Sequence, residues 1–479
     1  MSAGTYLRRK VVEPAAIRWY QWRGDPLALW MRPESKIDPY PMYEELRRGD
    51  PVRSGLGAWV TVSHATAEAV LRDRRFSPSP THMRRYQAPS YPPGDPRADL
   101  PAADLLTMDP PDHTRIRRLV SGAFTPKAIA ALEPWIREET ARLLHQADPA
   151  GFDLIDALAF PLPIAVICHL LGVPAEDQAS FRAWGHDVAA TLEPQTASAA
   201  LHESRAAEAA LSEYLRDLVS KRRADPDDSL LSALIAAEAD GMRLSHGELV
   251  STALLLLVAG FETTVNLIGN GTVALLTAPD GRQQWDRLRE EPALVPAAVE
   301  ELLRYDSPVQ MTSRNATQDV ELGGTLIRQG TPVIVAIGGA NRDPAVFDQP
   351  GRLLIDRPNA ARHLSFSLGI HHCLGAALAR LEGRIAVEEL TSRYPGLTLA
   401  GTPARRPLLV LRGFESVPVR PARPHRLTAP PDRTARRAGS ARAPAISRIR
   451  SGFRRASART EAWIARTHTR DPNQRDGRG

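Results

Sequence analysis

The sequence has few of the features that mark secreted or membrane-spanning proteins. Only two of its 479 residues are cysteine, Cys168 and Cys373, and two cysteines cannot build a disulfide framework, which favours a reducing compartment. The most apolar stretch, residues 249–261, is too short to span a bilayer. No apolar segment follows the basic residues near the N-terminus, as a secretory signal would require. These absences predict a soluble cytoplasmic protein.

Lysine is also scarce, with four lysines among 61 basic residues, and the charge is unevenly distributed. Residues 420–479 contain 16 arginines against four acidic residues, a net charge of +12. Because the whole chain carries +6, residues 1–419 carry −6. The high isoelectric point therefore belongs to the C-terminal segment, and the remainder is mildly acidic.

The composition along the chain predicts three parts. Residues 21–420 show one continuous pattern of long helices, interrupted by short strand-like stretches at 58–62, 326–336 and 408–411. This predicts a mainly α fold with a minor antiparallel β region. Residues 1–20 are an N-terminal extension. Residues 421–479 are rich in Pro, Ala, Arg, Ser and Thr, and they lack the apolar area that would offset the ordering entropy, so a disordered tail is predicted.

The basic tail contains one amphipathic pattern. Four apolar residues recur at helical spacing among arginines: Ile446, Ile449, Phe453 and Ala456. Such a helix could bind an anionic membrane surface or an acidic partner. The alternative is a solvated extension without a partner, and no nucleic acid is expected as a ligand.

Residues 366–375, which read Phe-Ser-Leu-Gly-Ile-His-His-Cys-Leu-Gly, carry the main chemical signal. Cys373 stands on a glycine-flanked turn that opens a helix, where the helix dipole and free N–H groups would stabilise a thiolate. Gly369 and Gly375 would allow a sharp turn and close approach of a large flat group. The alternatives are a buried structural thiol, or a zinc site with His371 and His372, although no second Cys/His pair has ligand spacing.

This segment resembles the heme-binding signature of the cytochrome P450 family. The matching positions are Phe366, Gly369, His371, Cys373 and Gly375. The resemblance implies the P450 fold and a heme b whose iron is bound by the Cys373 thiolate. Ser367 stands where the family usually has glycine, so a positive φ there would strain the turn.

A second part of the resemblance lies in a long helix. Ser245 and Glu248 form a predicted capping box, and the helical pattern runs toward Pro279. Residues 259–264, Ala-Gly-Phe-Glu-Thr-Thr, are unusual in mid-helix and match the oxygen-binding pattern of the family. The resemblance implies that Gly260 leaves room for dioxygen, Thr263 holds a water and Glu262 feeds protons inward. Taken alone, an exposed glutamate and an incidental glycine would also explain the pattern.

Charged residues complete the resemblance. Glu301 and Arg304 lie three residues apart on one helix face. With Arg352, after a Pro-Gly pair, they are assigned to the structural Glu-Arg-Arg network of the family. Four further residues match positions that contact the heme propionates: His113, Arg117, Arg314 and His371. Arginine suits carboxylates because its planar fork binds them bidentately.

The resemblance covers roughly residues 35–420 and implies a monooxygenase. Such an enzyme inserts one atom of O2 into a medium-sized apolar organic substrate, and the pocket is expected from residues 77–106, 255–259, 309–312 and 413–416. The expected polar anchors of a substrate are Tyr86, Tyr91, Gln310 and Thr312.

No flavin or iron–sulfur segment is recognisable, so a separate ferredoxin and its reductase would supply electrons from NAD(P)H. Two other hypotheses remain. One is a heme-thiolate peroxygenase or isomerase, against which Glu262 and Thr263 weigh. The other is a non-catalytic heme or ligand sensor whose basic tail docks it to nucleic acid or membrane.

Overall fold

The computed structural model describes residues 13–422. Within that range the gaps are residues 85, 88–94, 96, 99, 102, 190–192, 194–197 and 238–241. The chain divides into two units, residues 1–424 and 425–479. The second unit, which contains most of the predicted tail and its amphipathic pattern, lies outside the described residues.

Helices form most of the described chain, as predicted. Their bounds are α1 Glu13–Trp22, α2 Pro26–Trp30, α3 Pro33–Ile37, α4 Tyr40–Arg47, α5 His64–Arg72, α6 Asp112–Ser121, α7 Pro126–Gln146, α8 Pro161–Leu171, α9 Gln178–Ala189, α10 Ser198–Ala224, α11 Leu230–Ala236, α12 His246–Thr277, α13 Gly281–Glu290, α14 Val295–Tyr305, α15 Ile337–Ala340 and α16 Ala376–Arg393.

The helix starts follow local chemistry. The Thr125 hydroxyl accepts a hydrogen bond from the N–H of Ala128 at the start of α7. At the start of α12 the predicted capping box is present, with Ser245 and Glu248 each satisfying an N–H of the other. Proline occupies the first turn of α14 at Pro296, where its missing N–H has no intrahelical partner to lose.

The strands are short and lie in small sheets. They are β1 Val52–Arg53, β2 Trp59–Thr61, β3 Phe76–Ser77, β4 Phe152–Asp153, β5 Met311–Ala316, β6 Val320–Leu322, β7 Thr325–Ile327, β8 Pro332–Ala336, β9 Thr398–Leu399, β10 Ala404–Arg405, β11 Phe414–Ser416 and β12 Pro418–Arg420.

The main sheet has the order β1-β2-β8-β5-β3. Its pairs are antiparallel except β2 with β8, where Trp59 faces Val333 in parallel register. The smaller sheets, β4-β12-β9, β10-β11 and β6-β7, are antiparallel. The prediction of a mainly α fold with a minor antiparallel β region is therefore confirmed, with one parallel pair added.

The predicted strand at 408–411 is wrong. In this stretch only Leu411 makes an isolated bridge, to Val309. The N–H groups of residues 409–411 instead donate to the carboxylate of Glu193, which precedes α10. Because a side-chain carboxylate satisfies these backbone N–H groups, they do not require the hydrogen bonds of a neighbouring strand.

Helix α12 forms the centre of the main hydrophobic core and packs against α8, α10, α14 and α16. With 32 residues it is about 48 Å long at 1.5 Å per residue. The whole helix is long and apolar enough to cross a membrane, which the stretch 249–261 alone is not. However, 67% of its most apolar window is buried inside the fold, as expected of a core helix.

Candidate functional site

Cys373 lies on the turn that precedes α16, as predicted. Its N–H donates to the carbonyl of Phe366 over 2.8 Å, and Gly375 forms the N-cap of the helix. The side chain of Cys373 is accessible, whereas Cys168 is a buried thiol on α8 whose pKa burial raises to about 12.

The electrostatics of Cys373 differ from the prediction. Burial of the thiol by surrounding protein raises its pKa, against the N–H of Gly375 and the charges of Arg117 and Arg380, which lower it. A thiol that is accessible and still largely desolvated lines a cleft rather than the outer surface. Burial therefore outweighs the helix start in its effect on the pKa of Cys373. A cation at the sulfur would lower that pKa, and a heme iron meets that need.

Two residues of the turn have positive φ values. Gly369 has φ +69°, and a Cβ there would lie 2.7 Å from the carbonyl oxygen of Leu71, so glycine is required. Ser367 has φ +56°, which confirms the strain anticipated from its sequence position, and its buried hydroxyl has no partner.

Gly375 has a different role. Its φ is −83°, and nothing lies within 4 Å of where a Cβ would be. Neither the turn nor protein packing demands glycine there. The open space beside Cys373 suits the close approach of a flat group.

The residues expected to contact propionates converge from three parts of the chain. His113 on α6 and His371 lie with their ring centroids 4.3 Å apart. Arg117, one turn after His113, donates to the carbonyl of His372 over 2.6 Å. Arg314 on β5 is buried, and among the described residues its guanidinium donates to the Thr312 hydroxyl and the Ser313 carbonyl.

Within the described part of the chain, neither Arg117 nor Arg314 forms an ion pair, and the anion that acts on this cluster is Asp109, which influences His113, His371 and Arg314 through space. Both ring nitrogens of His113 and Nε2 of His371 are buried without a hydrogen-bond partner. Desolvation lowers the pKa of His371 to about 3, that of Arg314 to about 10, and that of Arg117 below its usual value. A ligand with two carboxylates, such as heme, fits these unsatisfied donors.

Helix α12 has an exposed point within its buried length. Ala259 and Gly260 are exposed in mid-helix, while Phe261 and Glu262 are buried. The Thr263 hydroxyl donates to the carbonyl of Ala259 over 2.9 Å. A Cβ at Gly260 would lie 3.7 Å from Ile167, an ordinary contact, so protein packing does not require glycine. The helix is therefore accessible at the position where oxygen binding was expected.

The alternative interpretation of residues 259–264 expected Glu262 to be exposed, and the structure contradicts it. Glu262 is fully buried, and its Oε1 pairs with Nη2 of Arg406. The same Nη2 donates to Oδ1 of Asn266 over 2.8 Å, and Oε2 of Glu262 has no partner. Sequence reasoning missed Arg406. A buried acid such as Glu262 requires a cation. The pair Arg405-Arg406, which precedes the apolar run 408–411, offered two candidates.

The expected polar anchors of the substrate pocket are largely engaged elsewhere. Gln310 is buried, donates to the Ser307 carbonyl over 2.8 Å and accepts from the Tyr43 hydroxyl, so it supports the protein. Thr312 accepts from Arg314. Tyr86 is half-buried, and Tyr91 lies outside the described residues.

The Glu-Arg-Arg network exists, but the assignment of Arg352 to it is wrong. Glu301 binds Nε of Arg304 at 2.6 Å and Nε of Arg357 at 3.1 Å, and all three side chains are almost completely buried. The guanidinium of Arg352 is half-exposed and binds Asp280 over 2.6 Å. Only its carbonyl joins the network, accepting from Arg304 and Arg357 at 3.1 Å. Arg352 follows Pro350-Gly351 on the outside of a turn, and the chain re-enters the core five residues later.

The site as a whole defines a class of protein. An accessible cysteine, a space beside Gly375, cationic and imidazole groups that form no ion pair within the described residues, and an exposed point on α12 suit a heme-thiolate centre. The zinc alternative has no support, because among the described residues no three His, Cys, Asp or Glu side chains are grouped to hold a metal.

Comparison with known proteins specifies the family. Residues 194–402 match the family described as Cytochrome P450. The chain is 42% identical over 400 residues to 6-deoxyerythronolide B hydroxylase from Saccharopolyspora erythraea, covering 80% of this chain and 96% of that protein. It is 42% identical over 395 residues to a vitamin D(3) 25-hydroxylase from Pseudonocardia autotrophica, covering 80% and 93%. The crystal structure of Mycobacterium smegmatis CYP164A2 superposes with a TM-score of 0.75 at 39% identity, covering 82% of this chain and 99% of that one.

The chain belongs to the cytochrome P450 family. It is a heme-thiolate monooxygenase that inserts an oxygen atom into an organic substrate with electrons from redox partners. Its relatives with crystal structures include bacterial proteins of Mycobacterium smegmatis and Bacillus megaterium.

Proposed function

We propose that this P450 hydroxylates a medium-sized, largely apolar molecule of macrolactone or steroid size. The observation that carries the proposal is the exposed Ala259-Gly260 step on α12, with the Thr263 hydroxyl beside it. Partly buried apolar side chains, Leu255 and Leu256, lie one turn before it on α12. A site of this composition selects ligands by apolar shape with few polar contacts.

The names of relatives support that size class. One relative is a 6-deoxyerythronolide B hydroxylase, and another is a vitamin D(3) 25-hydroxylase. A similar structure, CYP109E1 from Bacillus megaterium, is described in complex with corticosterone and with testosterone. These proteins act on or bind large apolar ring systems, and we extend that class, secondary metabolites included, to this chain.

We assign the cofactor contacts as follows. Cys373 would bind the heme iron, and Gly375 would leave space for the macrocycle. Arg117, Arg314 and the two imidazoles of His113 and His371 would hold the propionates, because the imidazoles are buried without hydrogen-bond partners and the two arginines form no ion pair within the described residues. Phe366 and Gly369 would shape the turn, since Phe366 accepts the Cys373 N–H and Gly369 permits the positive φ. When bound, the heme supplies the activation of dioxygen.

The protein side chains supply protons and orientation. Thr263 is half-buried beside the exposed Ala259-Gly260 step, and its hydroxyl, which donates to the Ala259 carbonyl, retains lone pairs that can hold a water. Glu262 stands next to it on α12 and is buried, so its carboxylate would exchange protons from within the fold. We assign Thr263 and Glu262 to proton delivery and Gly260 to oxygen access.

Electron supply would come from a ferredoxin and its NAD(P)H-dependent reductase in the cytoplasm. Cations near the Cys373 turn support an acidic partner: the charges of Arg117 and Arg380 act on Cys373, and Ile370 on the same turn is 36% exposed. Complementary charge would steer an acidic ferredoxin to this face.

The proposal is tested with the heme-loaded protein, a bacterial ferredoxin, its reductase and NADPH. A panel of macrolactones, steroids and fatty acids is first screened for substrate-induced spectral shifts. Ligands that bind are then incubated under 18O2. We expect a monohydroxylated product carrying one 18O atom, and no product from the Cys373→Ser variant. Binding of macrolactones and steroids with no labelled product from any of them would contradict the proposal.

A further inference from the structure

Helix α12 carries a buried polar stripe that the assigned chemistry does not explain. Glu262, Asn266 and Asn270 are spaced four residues apart, so they lie on one face of the helix. Each is at most 1% exposed. Buried polar side chains on an otherwise apolar helix destabilise a protein unless they have partners.

The partners come from one stretch, residues 404–413, which we call the clamp segment. Arg406 binds Glu262 and Asn266 through the same Nη2. Further along the stripe, Nδ2 of Asn270 donates to the carbonyl of Arg412 over 2.8 Å. The clamp segment therefore follows the polar stripe for two helical turns.

The clamp segment lies tightly against the helix. A Cβ at Gly413 would lie 1.8 Å from Oδ1 of Asn266, so only glycine fits at that position. On another side, the carboxylate of Glu193 accepts the N–H groups of Leu409, Val410 and Leu411 at 2.7, 2.9 and 3.0 Å. Three convergent N–H groups fix both the carboxylate and the backbone that carries them.

We propose that Arg406 is a positioning residue for Glu262, and that Glu193 acts on Glu262 through the clamp segment. Arg406 occupies one carboxylate oxygen and leaves Oε2 as the oxygen that exchanges protons. Glu193 anchors residues 409–411, and in this way it holds the backbone near Arg406 so that the Arg406 side chain stays in contact with Glu262 on α12. This inference rests on the proposed role of Glu262 in proton delivery.

The first experiment compares Arg406→Met with Arg405→Met in the heme-loaded enzyme. Arg405 is the matched control, because it is a neighbouring cation of the same segment that binds Asp306 and Asn270 instead of Glu262. We expect Arg406→Met to lower product per NAD(P)H on the order of tenfold and to raise peroxide, with substrate affinity changed less than about twofold. Arg405→Met should leave that product ratio unchanged. Arg406→Lys should recover it to within about threefold of the parent, since the cation is retained.

The second experiment needs no turnover. Arg406→Met leaves a buried carboxylate without its cation, and we expect the thermal midpoint to fall by roughly 3–6 °C in a fold of this length. Adding Glu262→Gln should restore part of that loss, because the uncompensated charge is removed. Additive losses in the double variant would overturn the pairing of Arg406 with Glu262.

A third experiment tests whether Glu193 acts on Glu262 through Arg406, by combining substitutions at Glu193 and Arg406. Glu193→Gln should lower product per NAD(P)H in the parent and have no further effect in the Arg406→Met background. Equal fold effects in both backgrounds would overturn action through Arg406.

The outcomes separate this inference from the proposed function. An unchanged product ratio in Glu262→Gln would contradict the proton-delivery role itself. Uncoupling in Glu262→Gln with an unchanged ratio in Arg406→Met would leave that role intact and overturn the positioning role of Arg406.

Discussion

Replacing two arginines that lie five residues apart should give very different losses of stability. Arg357→Met removes one of the two cations that bind Glu301, and the arginines and the acid are at most 3% exposed. Breaking a buried ion pair from one side costs about 3–5 kcal/mol, because the remaining charge is left without compensation. Arg352→Met removes a pair whose side chains are 50% and 31% exposed, which is worth about 0–1 kcal/mol.

The assay is urea unfolding followed by circular dichroism, with heme content measured in parallel by absorbance. Both variants replace arginine with methionine, so the change in side-chain size and flexibility is the same in each. The backbone carbonyl of residue 352, which accepts from Arg304 and Arg357, is retained in Arg352→Met. We expect the loss for Arg357→Met to be at least threefold larger. Equal losses, or a larger loss for Arg352→Met, would refute the assignment of Arg357 to the network.

Four further predictions concern the heme turn, α12 and the tail. Cys373→Ser should abolish the red-shifted Soret band of the reduced, carbon monoxide-bound protein, and survival of that band would contradict the ligand assignment. Thr263→Ala should keep heme and substrate binding but lower product per NAD(P)H on the order of tenfold, with peroxide rising, as measured by product and peroxide assays. Ser367→Gly should stabilise the protein by about 1 kcal/mol in urea unfolding, because the left-handed φ and the unpaired hydroxyl are both relieved, whereas Gly369→Ala should destabilise it. Truncation after Arg420 should leave heme content and turnover unchanged, and loss of heme would place the domain boundary elsewhere.

Features set by neighbours in the sequence could be predicted. The capping box of α12, the proline start of α14 and the strained Ser367 depend on residues within one or two turns. The choice of arginine in the Glu301 network could not be made this way, because a turn places Arg352 outward and Arg357 inward. The partners of Glu262 and of residues 409–411 are separated from them by more than 100 residues.

The charge state of Cys373 was also beyond local reasoning. The helix start and nearby cations were visible in the sequence, but the desolvation that outweighs them comes from the packing of the whole fold. In the same way, the family resemblance implied that Arg314 and His371 contact the heme propionates. Only the structure shows that burial lowers the pKa of both side chains.

The central position of α12 has a consequence for synthesis of the chain. Its apolar surface is covered partly by α8 and α10, which precede it, and partly by α14 and α16, which follow it. The ribosome must therefore add about 116 residues, from Thr277 to Arg393, before the last covering helix is complete. At 5–20 residues per second this takes roughly 6–23 s. During that interval a helix with the length and composition of a membrane span is only partly covered, so the nascent chain is a substrate for chaperones that bind apolar segments.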